Sequence, residues 1–288
     1  MWQTRITEML GIEYPIIQGA YGGFGTSAIA GPVSEAGGLG IITAGTLRTP
    51  AKLREDIARV RAMTDKPIGV NLSPRSMPNA DEIVETIIKE GIKVVETAGV
   101  SAEEYGKRLK EAGVVWIHKV ATVKHAVSAE KQGADAVVIV GIEGAGHKSP
   151  IQVTTLINIP MAAKLIKIPI IAAGGIGDAR GFMAALAMGA EAVYLGTVFM
   201  ATKECPISDR YKQRMVDSSP FDPVLRARVF APPGAEADEA VPEGDEAGTR
   251  ISGFSLAVSA VDKVVTVQEL IQDIITGAEA IRRRWALS

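Results

Sequence analysis

Short apolar runs alternate with amphipathic stretches eight times between residues 15 and 197, and this alternation limits the fold more than any other feature of the chain. Each run is rich in Val and Ile and is apolar without a strict apolar/polar alternation. Such runs are typical of parallel strands that are covered on both faces. The predicted strands are 16–19, 40–43, 67–71, 92–96, 114–119, 136–140, 169–173 and 192–197.

The segments between these runs have helical character. The predicted helices are 51–63, 81–90, 101–111, 122–132, 161–165 and 181–188. Several helical segments are followed by a glycine before the next strand, which indicates left-handed C-caps at Gly91, Gly113, Gly133 and Gly189.

Eight β-then-α units in series form either a barrel or a large open, doubly wound sheet. An open sheet normally places a single glycine-rich phosphate turn after its first strand. Here glycine-rich turns follow several strands, including the seventh and the eighth. This pattern favours an α/β fold of the TIM (β/α)8 barrel type, whose phosphate site lies in the late loops.

The pattern changes after Met200, so we divide the chain into residues 1–205, the barrel, and residues 206–288. Residues 218–253, and especially 231–248, are rich in Pro, Gly, Ala and acidic residues, which is typical of a mobile, lid-like insertion. Residues 266–285 carry apolar side chains at helical spacing. We expect this C-terminal helix to pack on the outside of the barrel.

Charge and cysteine content exclude several classes of function. The 33 acidic and 31 basic residues give a formal net charge of -2, which argues against a nucleic-acid surface. The single cysteine, Cys205, cannot form an internal disulfide, so we expect a reducing compartment, the cytoplasm. Residues 14–34 are uncharged, but five glycines and two prolines make a membrane span improbable there. Charges at Arg5, Glu8 and Glu13 interrupt the opening stretch before a long apolar run develops, so we expect no secretory signal.

Two glycine turns predict a site for a phosphate-bearing cofactor. Gly174 and Gly175 end the seventh predicted strand just before a helix, and Gly196 and Thr197 end the eighth. Backbone amides at such turns, next to a helix N-terminus, form anion sites. For the first turn taken by itself, a tight strand-to-helix connection that merely needs glycine explains the sequence equally well.

Three other features suggest redox chemistry at the barrel mouth. His147 follows a glycine-rich loop, where an imidazole can exchange a proton near neutral pH, although a plain surface histidine is the alternative. The side-chain-poor loop of residues 14–25 lets a flat ring approach the backbone. Asn71 and Lys119 stand at strand ends, where they either hydrogen-bond the polar edge of a flavin or are structural. His118 and His125 are interpreted as structural. We find neither metal-ligand spacing nor a Ser–His–Asp order.

Taken together, six segments resemble the nitronate monooxygenase (2-nitropropane dioxygenase-like) family of FMN-dependent TIM barrels. The segments are YPIIQGAYGGFG…VSEAGGLGIITAG, DKPIGVNL, VVETAG, VIVGIEGAGH, IPIIAAGGIGDARG and YLGTVFMATKECP, and the likeness spans about residues 4–206. That family also includes FMN-dependent enoyl-acyl-carrier-protein reductases and NAD(P)H:quinone reductases. VVETAG with WIHKVATVKHAVSAEKQGADAV is most similar to the branch that includes quinone reductases.

The resemblance implies roles for individual residues. His147 would be the catalytic base or a proton partner of the substrate near the flavin N5. The isoalloxazine ring and ribityl chain would be surrounded by Gln18, Ala20, Gly22, Asn71 and Lys119, with Ala145 and Gly146 also at the cofactor. The phosphate would be held by Gly174, Gly175, Gly196 and Thr197. Two departures from the family pattern are Tyr21, in place of a methionine, and residues 148–150, in place of a glycine-containing segment.

The expected function is therefore that of a flavin enzyme with FMN as its cofactor and a small organic substrate. The first hypothesis is a nitronate monooxygenase that uses O2. The second is an NAD(P)H-dependent reductase of quinones or enoyl thioesters, with NAD(P)H as co-substrate. A non-catalytic flavin-binding barrel fits least well, because it leaves His147 without a role. We expect no nucleic-acid or membrane partner. If the protein assembles, we expect a homodimer.

Overall fold

Eight parallel strands form a nearly closed barrel in the computed structural model, which describes residues 2–99, 102–146, 151, 153–231 and 253–286. The strands are β1 (Ile16–Gln18), β2 (Gly40–Thr43), β3 (Ile68–Leu72), β4 (Val94–Ala98), β5 (Val115–Val120), β6 (Ala136–Val140), β7 (Ile170–Ala173) and β8 (Ala192–Leu195). Each strand from β2 to β7 pairs with the next one in sequence, and β8 also pairs with β1. The predicted TIM barrel is confirmed.

The barrel closes between β1 and β2 through a short seam. The amide of Leu39 donates to the carbonyl oxygen of Ile16, and the amide of Gln18 donates to the carbonyl oxygen of Leu39, both at 2.9 Å. The side chain of Gln18 extends this seam, because its Oε1 accepts from the amide of Ile41 at 2.9 Å. The buried side chain of Gln18 thus adds a hydrogen bond between β1 and β2, beyond the backbone bonds of the three-residue strand β1.

Helices surround the barrel and follow most of its strands. They are α1 (Arg5–Leu10), α2 (Ser27–Glu35), α3 (Ala44–Leu47), α4 (Pro50–Met63), α5 (Ala80–Lys89), α6 (Glu103–Glu111), α7 (Val123–Gln132), α8 (Thr155–Leu165), α9 (Ala179–Ala187), α10 (Thr197–Met200), α11 (Asp209–Val216), α12 (Pro223–Val229) and α13 (Val267–Ala286). All four predicted glycine caps have positive φ angles, at Gly91, Gly113, Gly133 and Gly189.

The structure corrects several predicted boundaries. Strand β4 begins two residues later than expected, because the amide of Ile92 still donates to the carbonyl oxygen of Ile87 in α5. Helix α8 begins at Thr155 and not at residue 161, with Pro160 inside it. Helix α2 lies where no helix was predicted.

The region after the barrel is partly helical. Residues 223–229, which composition placed in a mobile loop, form helix α12, whose first turn is capped by the carboxylate of Asp222. The acidic segment 232–252 lies outside the described residues. The predicted C-terminal helix is confirmed as α13, and its Gly277 lies so close to α9 that a Cβ there would be 2.6 Å from the Cβ of Ala179.

Apolar side chains fill the barrel interior, and polar side chains lie above them at the carboxyl ends of the strands. The interior includes Ile17, Ile41, Val94, Ile117, Val138 and Ile171, each no more than 2% exposed. Cys205 is also buried, and burial raises the pKa of its thiol to about 12. No described helix has the length and apolar character that a membrane span requires. Among the described residues, no group of His, Cys, Asp and Glu could hold a metal ion.

Candidate active site

A layer of polar side chains from four strands lies at the carboxyl ends of the barrel strands. Asn71 on β3 pairs in register with Glu96 on β4, and its Nδ2 donates to Glu96 Oε2 at 2.5 Å. The hydroxyl of Tyr194 on β8 donates to the same oxygen at 3.3 Å. The Nζ atom of Lys119 on β5 lies 3.8 Å from Glu96 Oε1. We call these four residues the polar layer.

Burial differs sharply within the polar layer. The side chain of Glu96 is 0% exposed, whereas that of Lys119 is 25% exposed. Glu96 Oε1 has no hydrogen-bond partner among the described residues. The ammonium group of Lys119 also lies 5.2 Å from the ring centroid of Tyr194, within range of a cation–π interaction. Lys119 is thus the charged member that solvent or a ligand can reach.

Tyr194 joins the polar layer to the loop after β1. Its hydroxyl accepts a hydrogen bond from the amide of Ala20 at 2.7 Å while it donates to Glu96. Burial, with the negative charge of Glu96, raises the pKa of Tyr194 well above its usual value. The phenol therefore stays protonated near neutral pH and keeps its donated bond.

The turns after β7 and β8 expose backbone amides at adjacent positions. Gly174 and Gly175 have φ angles of 101° and 72°, a left-handed conformation that favours glycine. In the part of the chain that the structure describes, no acceptor takes the amide protons of Gly175, Gly196 or Thr197. A Cβ built on Gly196 would meet no atom within 4 Å. The two turns thus combine free donors with open space, which an anion requires.

A carboxylate lies near these turns, but it is already bonded. Glu143 accepts from the amide of Thr155 at 3.0 Å and from the hydroxyl of the same residue at 3.0 Å, at the start of α8. The helix N-terminus offsets its negative charge. Glu143 therefore acts as a cap for α8. Because its negative charge is partly balanced by this helix, it repels less strongly a ligand phosphate that approaches Gly175.

A segment from beyond the barrel is attached to the β8 turn. The hydroxyl of Thr197 accepts from the amide of Ser255 at 2.9 Å and lies 2.8 Å from the Ser255 hydroxyl. The amide of Leu256 donates to the carbonyl oxygen of Glu143 at 3.2 Å. The side chain of Thr197 thus holds the segment Leu256–Ala260 in place, and its backbone amide is the group left for a ligand.

The loop after β1 lies against the same turn. The hydroxyl of Tyr21 donates to the carbonyl oxygen of Gly196 at 2.8 Å, and its ring stacks on Phe24 with centroids 4.7 Å apart. Tyr21 is only 7% exposed, and burial raises its pKa well above the usual value. Tyr21, which stands where the family pattern has a methionine, therefore supports the turn from within the protein. Gly22 is exposed, with open space where a Cβ would be.

The other predicted site residues fall into four groups. Asn71, Lys119 and the backbone of Ala20 meet in or beside the polar layer. Gln18 is 0% exposed, and its amide is used in the seam between β1 and β2 and on the carbonyl oxygen of Gly19. Ala145 and Gly146 follow β6, and Gly146 has a φ angle of 89° with open space beside it. His147 and residues 148–150 lie outside the described residues.

The two other histidines lie away from the barrel mouth. His118 lies outside the barrel wall, where its Nδ1 is 2.8 Å from the hydroxyl of Thr97, which also accepts from the Trp116 indole at 2.7 Å. Burial lowers the pKa of His118 below its usual value. His125 is exposed on α7. Among the described residues, neither histidine forms a hydrogen bond or an ion pair with the polar layer.

Sequence reasoning missed three residues of the site, namely Glu96, Tyr194 and Ser255. Glu96 carried a usable signal, since an acidic residue stands within an otherwise apolar strand. Tyr194 resembles any aromatic strand residue, and Ser255 lies 58 positions beyond the threonine that it contacts. Only the folded chain brings these residues together.

An eight-stranded parallel barrel with polar side chains and free amides at the carboxyl ends of its strands defines the class of (β/α)8-barrel enzymes. A family model described as nitronate monooxygenase matches residues 3–232. The chain belongs to the nitronate monooxygenase family, and it is an oxidoreductase of this kind.

Individual relatives span between 78% and 99% of the chain. The (3aS,4S,5R,7aS)-5-hydroxy-7a-methyl-1-oxo-octahydro-1H-indene-4-carboxyl-CoA dehydrogenase of Mycobacterium tuberculosis is 34% identical over 99% of this chain and 81% of its own length. A probable nitronate monooxygenase of Staphylococcus aureus is 34% identical over 78% of this chain and 76% of its own length. The structure of FabK from Thermotoga maritima superposes with a TM-score of 0.87 at 33% identity, covering 99% of both chains.

Proposed function

We propose that this protein is an FMN-dependent oxidoreductase that oxidises alkyl nitronates or nitroalkanes with O2. The observation that carries the proposal is the set of free amides at Gly175, Gly196 and Thr197, next to open space at the barrel mouth. The residues fit FMN, because these amides suit a terminal phosphate and Lys119 suits the polar edge of the ring. When bound, FMN supplies a ring that accepts and returns electrons.

The residues of this chain would divide the remaining work. The amides of the two late turns bind the phosphate, and the exposed Gly22 leaves room for the ring to approach the backbone. Lys119 places a positive charge where negative charge develops during reduction. His147, four residues after the helix-capping Glu143 in the loop after β6, would bind the substrate or take its proton.

A second candidate is an NAD(P)H-dependent oxidoreductase that acts on quinones or on acyl thioesters. One observation favours it: the Mycobacterium tuberculosis relative, whose name specifies a carboxyl-CoA dehydrogenase, is 34% identical over 99% of this chain. The same barrel mouth would serve this reaction, because phosphate binding and the charge on Lys119 are required in both cases. The two candidates differ in the molecule that delivers electrons.

Replacing Gly196 with valine tests the phosphate site. The wild-type protein is expected to bind FMN more tightly than riboflavin, which has the same ring and no phosphate. Gly196→Val fills the open space beside the free amides, so FMN affinity should fall by at least about tenfold while riboflavin affinity changes little. Flavin fluorescence quenching measures both constants, and thermal unfolding of the apoprotein checks the fold. Equal affinities of the wild type for FMN and riboflavin would contradict the proposal.

Anaerobic rapid mixing separates the two candidate reactions. For the nitronate monooxygenase, we expect the flavin absorbance to bleach after mixing with an alkyl nitronate and to return on admission of O2. NADH or NADPH should then bleach it slowly or not at all. Fast bleaching by a reduced nicotinamide, with none by the nitronate, would favour the reductase. If neither reductant bleaches the bound flavin, both proposed reactions are wrong.

A further inference from the structure

Glu96 is the most deeply buried charged side chain at the barrel mouth, and nothing in the proposed reaction uses it. Its side chain is 0% exposed, and its Oε1 atom has no hydrogen-bond partner among the described residues. An uncompensated buried carboxylate is costly, so a carboxylate in such a place needs a partner or a task. The Nζ atom of Lys119 lies 3.8 Å from this oxygen.

We propose that Glu96 is a positioning residue that holds the ammonium group of Lys119 and the amide of Asn71, and thereby lowers the reduction potential of the bound flavin. This inference rests on the proposed FMN cofactor. It concerns a residue that a ligand would not touch directly, because Glu96 Oε1 is sealed from solvent while Lys119 is partly exposed. Glu96 therefore acts through its neighbours.

The contact with Asn71 fixes the orientation of an amide. Because Asn71 Nδ2 donates to Glu96 Oε2, the carbonyl oxygen of Asn71 is turned away from the carboxylate. That oxygen has no partner among the described residues, so it is available to accept a hydrogen bond from the imide edge of a ring. Tyr194, which also donates to Glu96 Oε2, keeps the carboxylate from rotating.

The contact with Lys119 sets the charge at the mouth. An ammonium group near the ring favours the reduced, negatively charged flavin, and thus raises the potential. Glu96 opposes this effect through Lys119, because its attraction keeps the ammonium near the polar layer, where the carboxylate offsets the positive charge. Removing the charge of Glu96 should therefore free Lys119 and raise the potential.

Glu96→Gln is the central variant, because glutamine keeps the shape and can still accept from Asn71. Equilibration with a dye of known potential should show at least about a tenfold larger equilibrium constant for two-electron reduction, equivalent to a positive shift of about 30 mV. Lys119→Met should shift the potential in the opposite direction. In the Lys119→Met background, adding Glu96→Gln should produce less than half of the shift that it produces alone.

Each result bears on the proposal. A change below about twofold for Glu96→Gln would overturn the role in setting the potential. An equal shift with and without Lys119 would show that Glu96 acts on the ring directly and not by positioning. If Glu96→Gln does not fold, an unchanged potential in Lys119→Met would by itself overturn the proposal, since Lys119 is the group through which Glu96 acts.

A measurement on the apoprotein separates this inference from the cofactor assignment. Brief labelling with an amine-reactive reagent, followed by mass spectrometry, should modify Lys119 at least about threefold faster in Glu96→Gln than in the wild type, because the ammonium is no longer held. Lys107, which pairs with Glu103 at 2.7 Å on the exposed face of α6, serves as the internal control and should not change. Unchanged labelling of Lys119 would contradict the positioning role, whether or not FMN binds.

Discussion

Gly40→Ala is expected to lower the free energy of unfolding by more than about 3 kcal/mol, or to prevent folding altogether. A Cβ at this position would lie 1.8 Å from the carbonyl oxygen of Ala30 and 2.5 Å from its carbonyl carbon. These are backbone atoms of α2, so no side chain can turn away to make room. Strand β2 cannot retreat either, because it pairs with β3 along its whole length. The added methyl group therefore has to separate α2 from the barrel.

Gly45→Ala is the matched control for this effect. Gly45 lies five residues further along in α3, and a Cβ there would meet no atom within 4 Å. Since alanine is the better helix former, this variant should stay within about 1 kcal/mol of the wild type or be more stable. Urea unfolding followed by tryptophan fluorescence measures both variants. A Gly40→Ala protein with the wild-type midpoint would show that α2 does not pack against β2 as the structure indicates.

The strands could be predicted from the sequence because burial on both faces leaves a direct signal. All eight predicted runs overlap an observed strand, and the four predicted glycine caps have left-handed backbones. Each of these features depends on residues that are adjacent in sequence. Local physics is enough to identify them.

Helix α2 could not be predicted because its stabilising contact is remote. It contains Pro32 and a glycine, and its N-cap residue makes no side-chain cap bond. The cap comes instead from Asp56 on α4, whose carboxylate accepts from the amide of Ser27 at 2.7 Å and from its hydroxyl at 2.6 Å. A buried carboxylate 29 positions away therefore replaces the local signal.

The candidate site also contains features that could be predicted from the sequence and features that could not. Glycine turns at residues 174–175 and 196 could be predicted, because their backbone conformation and their place at strand ends are local properties. Asn71 and Lys119 could also be placed at strand ends. Their contacts with Glu96 and Tyr194 could not be predicted, since they depend on the register that sets Asn71 opposite Glu96 and on Tyr194 reaching across the barrel. The side-chain bond of Gln18 also depends on the folded chain. The resemblance placed Gln18 beside the ring, and in the structure its side chain accepts a hydrogen bond between β1 and β2.

His147→Asn is expected to slow turnover of a neutral nitroalkane by roughly a hundredfold or more, if His147 is the general base that the family resemblance implies. Asparagine keeps a polar group of similar size but cannot take up a proton near neutral pH. FMN content and thermal stability should stay at wild-type values if the loss is confined to proton transfer. Oxygen consumption under steady-state conditions measures the rate. His125→Asn, at an exposed position on α7, is the control and should retain full activity.

The substrate's own ionisation state provides the decisive comparison. A nitroalkane that has been ionised beforehand to its nitronate no longer needs a base, so His147→Asn should be slowed far less with the nitronate than with the neutral form. Equal losses with both forms would assign His147 to substrate binding, because binding is required whichever form is supplied. Wild-type rates with both forms would remove His147 from the reaction. Proton removal would then have to be assigned to another group, and Lys119, the partly exposed charged side chain of the polar layer, would be the first to examine.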